Sequence, residues 1–321
     1  MDALVAVIIT CYNEGPYIGA AVRSVLDQTR ADLVAEIIIA DDGSDAPTLA
    51  ILRDIATWDS RIRVLYGPGG TGLPGQRCKA IAETTAPFLA ILDGDDIWTP
   101  AKLEIQVPIM VRQPGIGLVY GVFSTFPDLN LAAAQIAPTR DISSASDLAR
   151  AYFLNDPPII PSTILMRRTA YDASHGFDPA VRVFEDTDFF LRLARVTRFA
   201  YVDTPLLYKR NRPKSITGAR KDLMAWHAFV AFKAAADNPA LLPYVPRRLA
   251  ERARKLGNQR FLLRDIAQAR ALSSLACRLR PFSAANWFGW MLPRLPKALA
   301  GLLLKTALKS RVETLAATDG Q

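Results

Sequence analysis

Short apolar runs broken by turn residues set the pattern of the first hundred positions. Ala3 to Thr10 is an apolar run that ends in Cys11-Tyr12-Asn13-Glu14-Gly15-Pro16, and Ile18, Val22, Val25 and Leu26 then recur at helical spacing. Pro16 suits the start of that helix. Ile37 to Ala40 is a second run, closed by Asp41-Asp42-Gly43-Ser44 and followed by a helix carrying Leu49, Leu52, Ile55 and Ala56 inward. Ile62 to Tyr66 predicts a third strand, Gly67 to Gly75 a Gly/Pro-rich loop and Gln76 to Thr84 a helix. The fourth strand begins at Phe88 and runs into Asp93-Gly94-Asp95-Asp96 before Ile97 and Trp98. Strand, turn and helix alternating in this order predict right-handed crossovers, and with them an α/β fold: a mostly parallel, Rossmann-like sheet with helices on both faces.

Beyond Pro100 the rhythm changes. Leu103, Val107, Met110 and Val111 mark a helix, Gly117 to Phe123 a strand, and Thr125 to about Pro158 a mixed, Pro-interrupted stretch. Ile164 to Met166 restores a strand, and His175-Gly176-Phe177-Asp178 reads as a turn. In Phe184-Glu185-Asp186-Thr187-Asp188-Phe189, the spacing of Phe189, Leu193 and Val196 predicts a helix whose first turn holds the acids. The helix dipole favours carboxylates there, and capping accounts comfortably for one of them; three acids within four positions exceed that need. From Lys221 the pattern is helical: Leu223, Trp226 and Val230, an Arg-rich segment from Arg247 to Arg280, the cluster Trp287 to Leu292, and Lys297 to Lys309 with Leu299, Leu302 and Leu303.

Composition narrows the chemistry. Half of the 321 residues are apolar, enough for a sizeable core. From Pro205 onward there are 22 Lys+Arg against 6 Asp+Glu, whereas the first 204 residues carry 17 against 25, so a basic tail follows an acidic body. That tail fits either an interfacial helical region on an anionic membrane surface, with Trp at headgroup depth, or a helical subdomain packed on the rest of the chain or on a second copy in a homo-oligomer. Its longest apolar run, Ala298 to Leu304, falls far short of the ~20 residues that a spanning helix needs. The first run lacks a basic leader, which points to residence in the cytoplasm. Cys11, Cys78 and Cys277 are scattered and form no Cys-x-x-Cys pair, so neither a disulfide framework nor a zinc cluster is signalled. With only His175 and His227, there is little material for a Ser-His-Asp or Cys-His nucleophile, and the chemistry should rest on carboxylates. The acidic first region and the absence of a known binding motif argue against nucleic acid as a partner.

In parallel sheets, ligands lie outside the carboxyl ends of the strands. The sequence delivers Thr10, Tyr12, Asn13 and Glu14 there after the first strand, Asp41 and Asp42 after the second, and Asp93 and Asp95 after the fourth. A ring, several carboxylates and a pair of hard oxygen ligands suit a nucleotide diphosphate: Tyr12 to stack on a base, Asp42 to accept from base or ribose, and Mn²⁺ or Mg²⁺ on the Asp pair to bridge phosphates. The alternative for the Asp-rich turn is plain solvation. The loop from Gly67 to Gly75 lacks the Gly-Lys-Ser/Thr ending of a P-loop and reads as a connection needing positive φ. Arg77, one turn further on, is the better phosphate ligand because its fork can grip two oxygens.

Tyr12-Asn13-Glu14, Asp41-Asp42-Gly43-Ser44, Asp93-Gly94-Asp95-Asp96 and Glu185-Asp186-Thr187-Asp188, found in that order, resemble the family 2 glycosyltransferases of the GT-A fold over roughly the first two thirds of the chain. The resemblance implies a GT-A catalytic domain over 1–217, with a nucleotide-binding part over 1–100 and an acceptor-side part over 101–217, followed by a basic helical C-terminal region over 218–321. It implies transfer of a sugar, with inversion, from a nucleotide diphosphate donor such as a UDP-sugar to a saccharide or lipid-linked acceptor in surface polysaccharide synthesis. By position, Thr10, Tyr12 and Asp42 would hold base and ribose, Asp93 and Asp95 the metal, and Asp186, beside Glu185, would be the catalytic base. Two departures stand out. Gln76-Arg77-Cys78 replaces Ala-Arg-Asn, and Tyr208-Lys209-Arg210-Asn211-Arg212 lacks the family's nearby His, leaving Lys209, Arg210 and Arg212 as candidate diphosphate contacts. A catalytically idle nucleotide-sugar-binding or scaffold protein is the alternative from a different class; the acids at 93, 95 and 186 speak against it.

Overall fold

A computed structural model describes residues 3–212 and 223–296, which fall into two compact units divided after Leu223. The first unit holds β1 (Val5–Cys11), α1 (Gly15–Leu26), β2 (Val34–Asp41), α2 (Ala46–Ile55), β3 (Ile62–Tyr66), α3 (Gly72–Ala82) and β4 (Phe88–Asp93). It continues with β5 (Ile97–Trp98), α4 (Lys102–Arg112), β6 (Ile116–Pro127), β7 (Gln135–Ile136), α5 (Leu148–Asn155), β8 (Leu165–Arg167), α6 (Arg168–Ala173), α7 (Glu185–Val196) and β9 (Arg198–Asn211). These strands form one sheet in the order β3-β2-β1-β4-β8-β6-β9-β5, with β7 on β6.

The alternating half of the chain builds the parallel half of the sheet: β3, β2, β1 and β4 run parallel. All seven residues of β1 are buried, as a strand covered on both faces requires. Beyond β4 the sheet is mixed. β8 runs antiparallel to both β4 and β6, and β6 lies parallel to β9. Register aligns the strand ends, pairing Thr10 with Asp93 and Cys11 with Asp41, so polar residues that follow three apolar runs emerge side by side.

Several boundaries differ from those the sequence predicts. The stretch from Thr125 to Pro158 holds the end of β6, all of β7 and the helix α5, which Asp147 caps through the Arg150 N–H at 2.9 Å. The helix expected from Gln76 begins at Gly72, drawn back by a carboxylate from the turn after β2 described below. β9 was not evident from periodicity, because Asp203, Pro205 and a run of cations interrupt it.

The second unit is helical: α8 (Leu223–Asp237), α9 (Val245–Leu262), α10 (Ile266–Leu279) and α11 (Ala284–Met291). The Arg-rich stretch thus folds as two helices, separated at Leu263-Arg264-Asp265, with Asp265 accepting the Gln268 N–H at 3.2 Å. Phe282 is fully exposed between α10 and α11, with Trp287 and Phe288 partly exposed in α11. No helix of the described residues is long and apolar enough to cross a membrane. The segment Lys297 to Lys309, and the expected domain boundary at 217/218, lie outside the described residues.

Candidate functional site

The turns after β1 and β2 lock together through neutral hydrogen bonds. Asn13 takes a left-handed conformation (φ 54°), its N–H donates to Ser44 Oγ at 2.9 Å, and its Oδ1 accepts from the Asp45 N–H at 2.8 Å. Asp41 is fully buried and its Oδ2 accepts from the N–H groups of Gly43 (3.0 Å) and Ser44 (3.1 Å). Its Oδ1, like the hydroxyl of Thr10 on the neighbouring strand, is buried with no partner within the protein. Such atoms are costly to leave unsatisfied, so both suit a ligand's donors or acceptors. Tyr12 is 57% exposed at the same edge.

Asp42 does something the sequence did not suggest. Its Oδ1 accepts from Thr71 N–H (3.0 Å), Thr71 Oγ1 (2.5 Å) and Gln76 Nε2 (2.7 Å), and its Oδ2 from Gly72 N–H (2.8 Å). The carboxylate therefore caps α3 from a distance, which explains why that helix starts early although the side chain of its N-cap residue, Thr71, makes no capping bond to the helix N–H groups. Burial opposes ionisation of Asp42, but these donors outweigh it and hold its carboxyl below the usual range. The carboxylate expected to meet base or ribose is thus also the organiser of the loop. Gly43, at φ +78°, approaches the backbone of Gly69 so closely that a Cβ would stand 2.7 Å from it.

The other half of the site is ionic. Arg77, 1% exposed, donates from Nη2 to Asp93 Oδ1 (2.8 Å) and from Nη1 to Glu185 Oε1 (3.0 Å), with its guanidinium 5.1 Å from the centre of the Phe177 ring. It thus ties the end of β4 to the start of α7, and it does not stand free as a phosphate fork. Lys209 on β9 shares a cavity of about 290 Å³ with Arg77, Asp93, Glu185 and Asp186. Arg212 bridges Asp95 Oδ2 (2.7 Å) and Glu14 Oε1 (3.0 Å). Gly94 admits Glu14: a Cβ there would collide with the Glu14 carboxylate and stand 2.7 Å from Thr10 O.

Asp96 is fully buried, accepting from Ser162 Oγ (2.9 Å) and the Arg210 N–H (3.0 Å); Ser162 in turn accepts from the Asp93 N–H (3.0 Å). Ser162 lies in a stretch whose local pattern gave no hint of this role. The guanidinium of Arg210 donates from Nε to Asp95 O at 2.9 Å and from Nη1 to Asp128 O, lying 4.6 Å from the centres of both the Tyr17 and Phe126 rings. Arg210, expected as a diphosphate contact, braces the acidic turn in this structure.

Charge balance follows from these contacts. Burial pushes Glu185 up to about 7, with the charge of Asp186 adding to it and Arg77 resisting. Burial, followed by the charge of Asp95, pushes Glu14 up to about 9. Asp186 is raised by burial, against the Thr187 N–H that its Oδ1 accepts at 2.6 Å. For Asp93 burial works against ionisation, yet Arg77 and then Lys209 outweigh it and hold the group low. Lys209 is raised above its ordinary value, first by Asp96.

The expected metal pair must be judged on the same contacts. Asp93 and Asp95 supply the hard oxygen donors that Mn²⁺ or Mg²⁺ prefers, and such ions are commonly held by one or two carboxylates together with substrate phosphates. Among the described residues, no three acids, histidines or cysteines gather into a ready-made metal cluster. Each of the two aspartates is instead paired with an arginine. The donor set fits a metal–diphosphate complex once Asp95 is released from Arg212.

The mixed sheet, its acidic strand ends and α7 define a GT-A glycosyltransferase fold, as comparison with solved structures shows. Staphylococcus aureus TarS (residues 1–349) in complex with UDP-GlcNAc superposes with TM-score 0.62 at 16% identity, covering 91% of this chain and 79% of that one. The mannosyltransferase PcManGT of Pyrobaculum calidifontis, in complex with GDP-Man and Mn²⁺, gives 0.60 at 16% identity, covering 97% and 81%. Residues 6–174 match the sequence family described as glycosyl transferase family 2, and the chain belongs to that family. Among curated relatives, the UDP-Glc:alpha-D-GlcNAc-diphosphoundecaprenol beta-1,3-glucosyltransferase WfgD of Escherichia coli is 33% identical over 139 residues, 43% of this chain and 53% of WfgD. The chain spans about half the length of the curated relatives it matches.

Proposed function

We propose that this glycosyltransferase moves a sugar, with inversion at the anomeric carbon, from a UDP-sugar to a hydroxyl of a lipid-linked or growing saccharide in surface polysaccharide synthesis. The observation that carries the reading is the cavity where Asp186 and Glu185 meet Asp93, Arg77 and Lys209, at the carboxyl end of β4. The nucleoside would lie against Tyr12, with the unpartnered Thr10 Oγ1 and Asp41 Oδ1 as its polar contacts. The relatives' printed substrates support a UDP-sugar and a diphosphoundecaprenol-linked acceptor.

In this scheme Asp186 accepts the proton of the acceptor hydroxyl, whose oxygen attacks C1 as the bond from C1 to the diphosphate oxygen breaks and the nucleoside diphosphate leaves with the electron pair. The raised carboxyl of Asp186 is a better base than a solvated aspartate. Lys209 supplies positive charge toward the leaving group. Asp93 and Asp95 would hold Mn²⁺ or Mg²⁺, which supplies neutralisation of the diphosphate when bound.

The second unit is proposed to rest on an anionic cytoplasmic membrane face, bringing the enzyme to its lipid-linked acceptor. Fully exposed Phe282 and part-exposed Trp287, beside Arg278 and Arg280, form an apolar tip flanked by cations, which suits insertion among anionic headgroups. F282D should weaken binding to phosphatidylglycerol vesicles; unchanged binding removes this part.

The primary test is thermal stabilisation of the full chain by a panel of nucleotide sugars, with and without Mn²⁺, followed by mass spectrometry of a saccharide acceptor. A UDP-sugar should stabilise selectively. Stabilisation by no nucleotide sugar rejects the proposal.

A further inference from the structure

One contact in the site has no part in the reaction scheme. Arg212 stands one residue beyond the end of β9, its side chain 25% exposed, and it spans carboxylates from two different strand ends, Asp95 and Glu14. Its guanidinium is 5.5 Å from the centre of the Tyr17 ring. Arg77 makes a similar double bridge but is buried and wedged against Phe177, so its contacts are fixed by packing. Arg212 is less deeply enclosed, its side chain 25% exposed against 1% for Arg77.

We propose that Arg212 and a divalent cation are alternative partners of Asp95, so that Arg212 sets the affinity of the site for metal. This rests on the reading of Asp95 as a metal-holding residue. The physical reason is direct. The ion pair at 2.7 Å sets Arg212 Nε against Asp95 Oδ2, and a doubly charged ion arriving beside a guanidinium meets repulsion as well as an occupied oxygen. Glu14 gives the displaced arginine somewhere to stay, because Nη2 can keep its bond to Oε1 while Nε lets go of Asp95. The closed bridge is then the resting state, and the metal–diphosphate complex selects the open one. Arg212 is on this account a positioning residue that keeps the acidic turn neutralised until the donor arrives.

Titrating Mn²⁺ alone into the full chain, with the free Mn(II) signal followed by electron paramagnetic resonance, tests this without using activity. If the open form is about a tenth of the population, R212Q should bind Mn²⁺ about tenfold more tightly than the parent chain. R212K, which keeps a charge but not the fork, should fall between the two. Adding D95N to R212Q should abolish the gain. The proposal is overturned if R212Q binds Mn²⁺ no more tightly than the parent, if neither binds it, or if the gain survives D95N. Thermal melts of each variant with UDP-sugars separate this failure from that of the proposed function: stabilisation by a UDP-sugar with no change in Mn²⁺ affinity rejects the Arg212 account alone.

Discussion

The two halves of the crevice neutralise their acids in different ways. At the end of β2, Asp42 is satisfied, and Asp41 at its Oδ2 alone, by uncharged donors: backbone N–H groups, the Thr71 hydroxyl and the Gln76 amide. At the end of β4 and the start of α7, Asp93, Asp95 and Glu185 are paired with guanidinium groups from α3 and from Arg212 just beyond β9, with Lys209 close by. Backbone donors cannot leave, so the first half is scaffolding that shapes a loop. Arg77 is held by packing, but Arg212 can exchange partners, so at Asp95 the second half can trade an internal counter-ion for that of a ligand. Acids that look alike in sequence thus divide into structural and exchangeable groups according to who donates to them.

That contrast can be broken most directly at Arg77. R77M leaves two largely buried carboxylates without their counter-ion and should cost about 3–5 kcal/mol, read as a fall in melting temperature of about 10 °C. If R77M costs no more than removal of a neutral contact at β2, the distinction fails. G94A probes the seam, since the added Cβ must displace Glu14 or the Thr10 carbonyl; about 1–3 kcal/mol is expected in chemical denaturation. D42N should cost about 1–2 kcal/mol, and faster amide exchange confined to Thr71, Gly72 and the first turn of α3 would mark Asp42 as a loop organiser.

The smallest expected effect is in pH. Glu185 is raised from 4.5 to about 7, so between those values the folded chain holds a proton that the unfolded chain has released. Stability must then fall as pH rises through that window. E185Q removes the contribution, and its melting temperature relative to the parent should climb between pH 5 and pH 7.5. A flat difference would mean that Glu185 is not raised.

The parallel half of the fold was legible because each buried strand is an unbroken apolar run followed by a turn, and β3 fell at Ile62 to Tyr66 as read. The second half was harder to read. In β9, Lys209 and Arg210 point to partners supplied by distant acids, so their charges look like the start of a basic tail when they belong to the sheet. Likewise the early start of α3 depends on Asp42, 29 residues before Thr71, and no local signal carries that information. The acids of the four motifs were legible as a group. Which of them would be spoken for was not, because that depends on donors such as Ser162, Thr71 and Gln76 that only the tertiary fold brings near.

The central claim, that Asp186 is the base serving a nucleotide-sugar crevice, is tested most directly by comparing D186N with the parent chain in donor affinity by calorimetry and in turnover at saturating donor. The account predicts donor binding within about twofold and turnover lower by about 100-fold or more. Unchanged turnover with donor binding intact would contradict it.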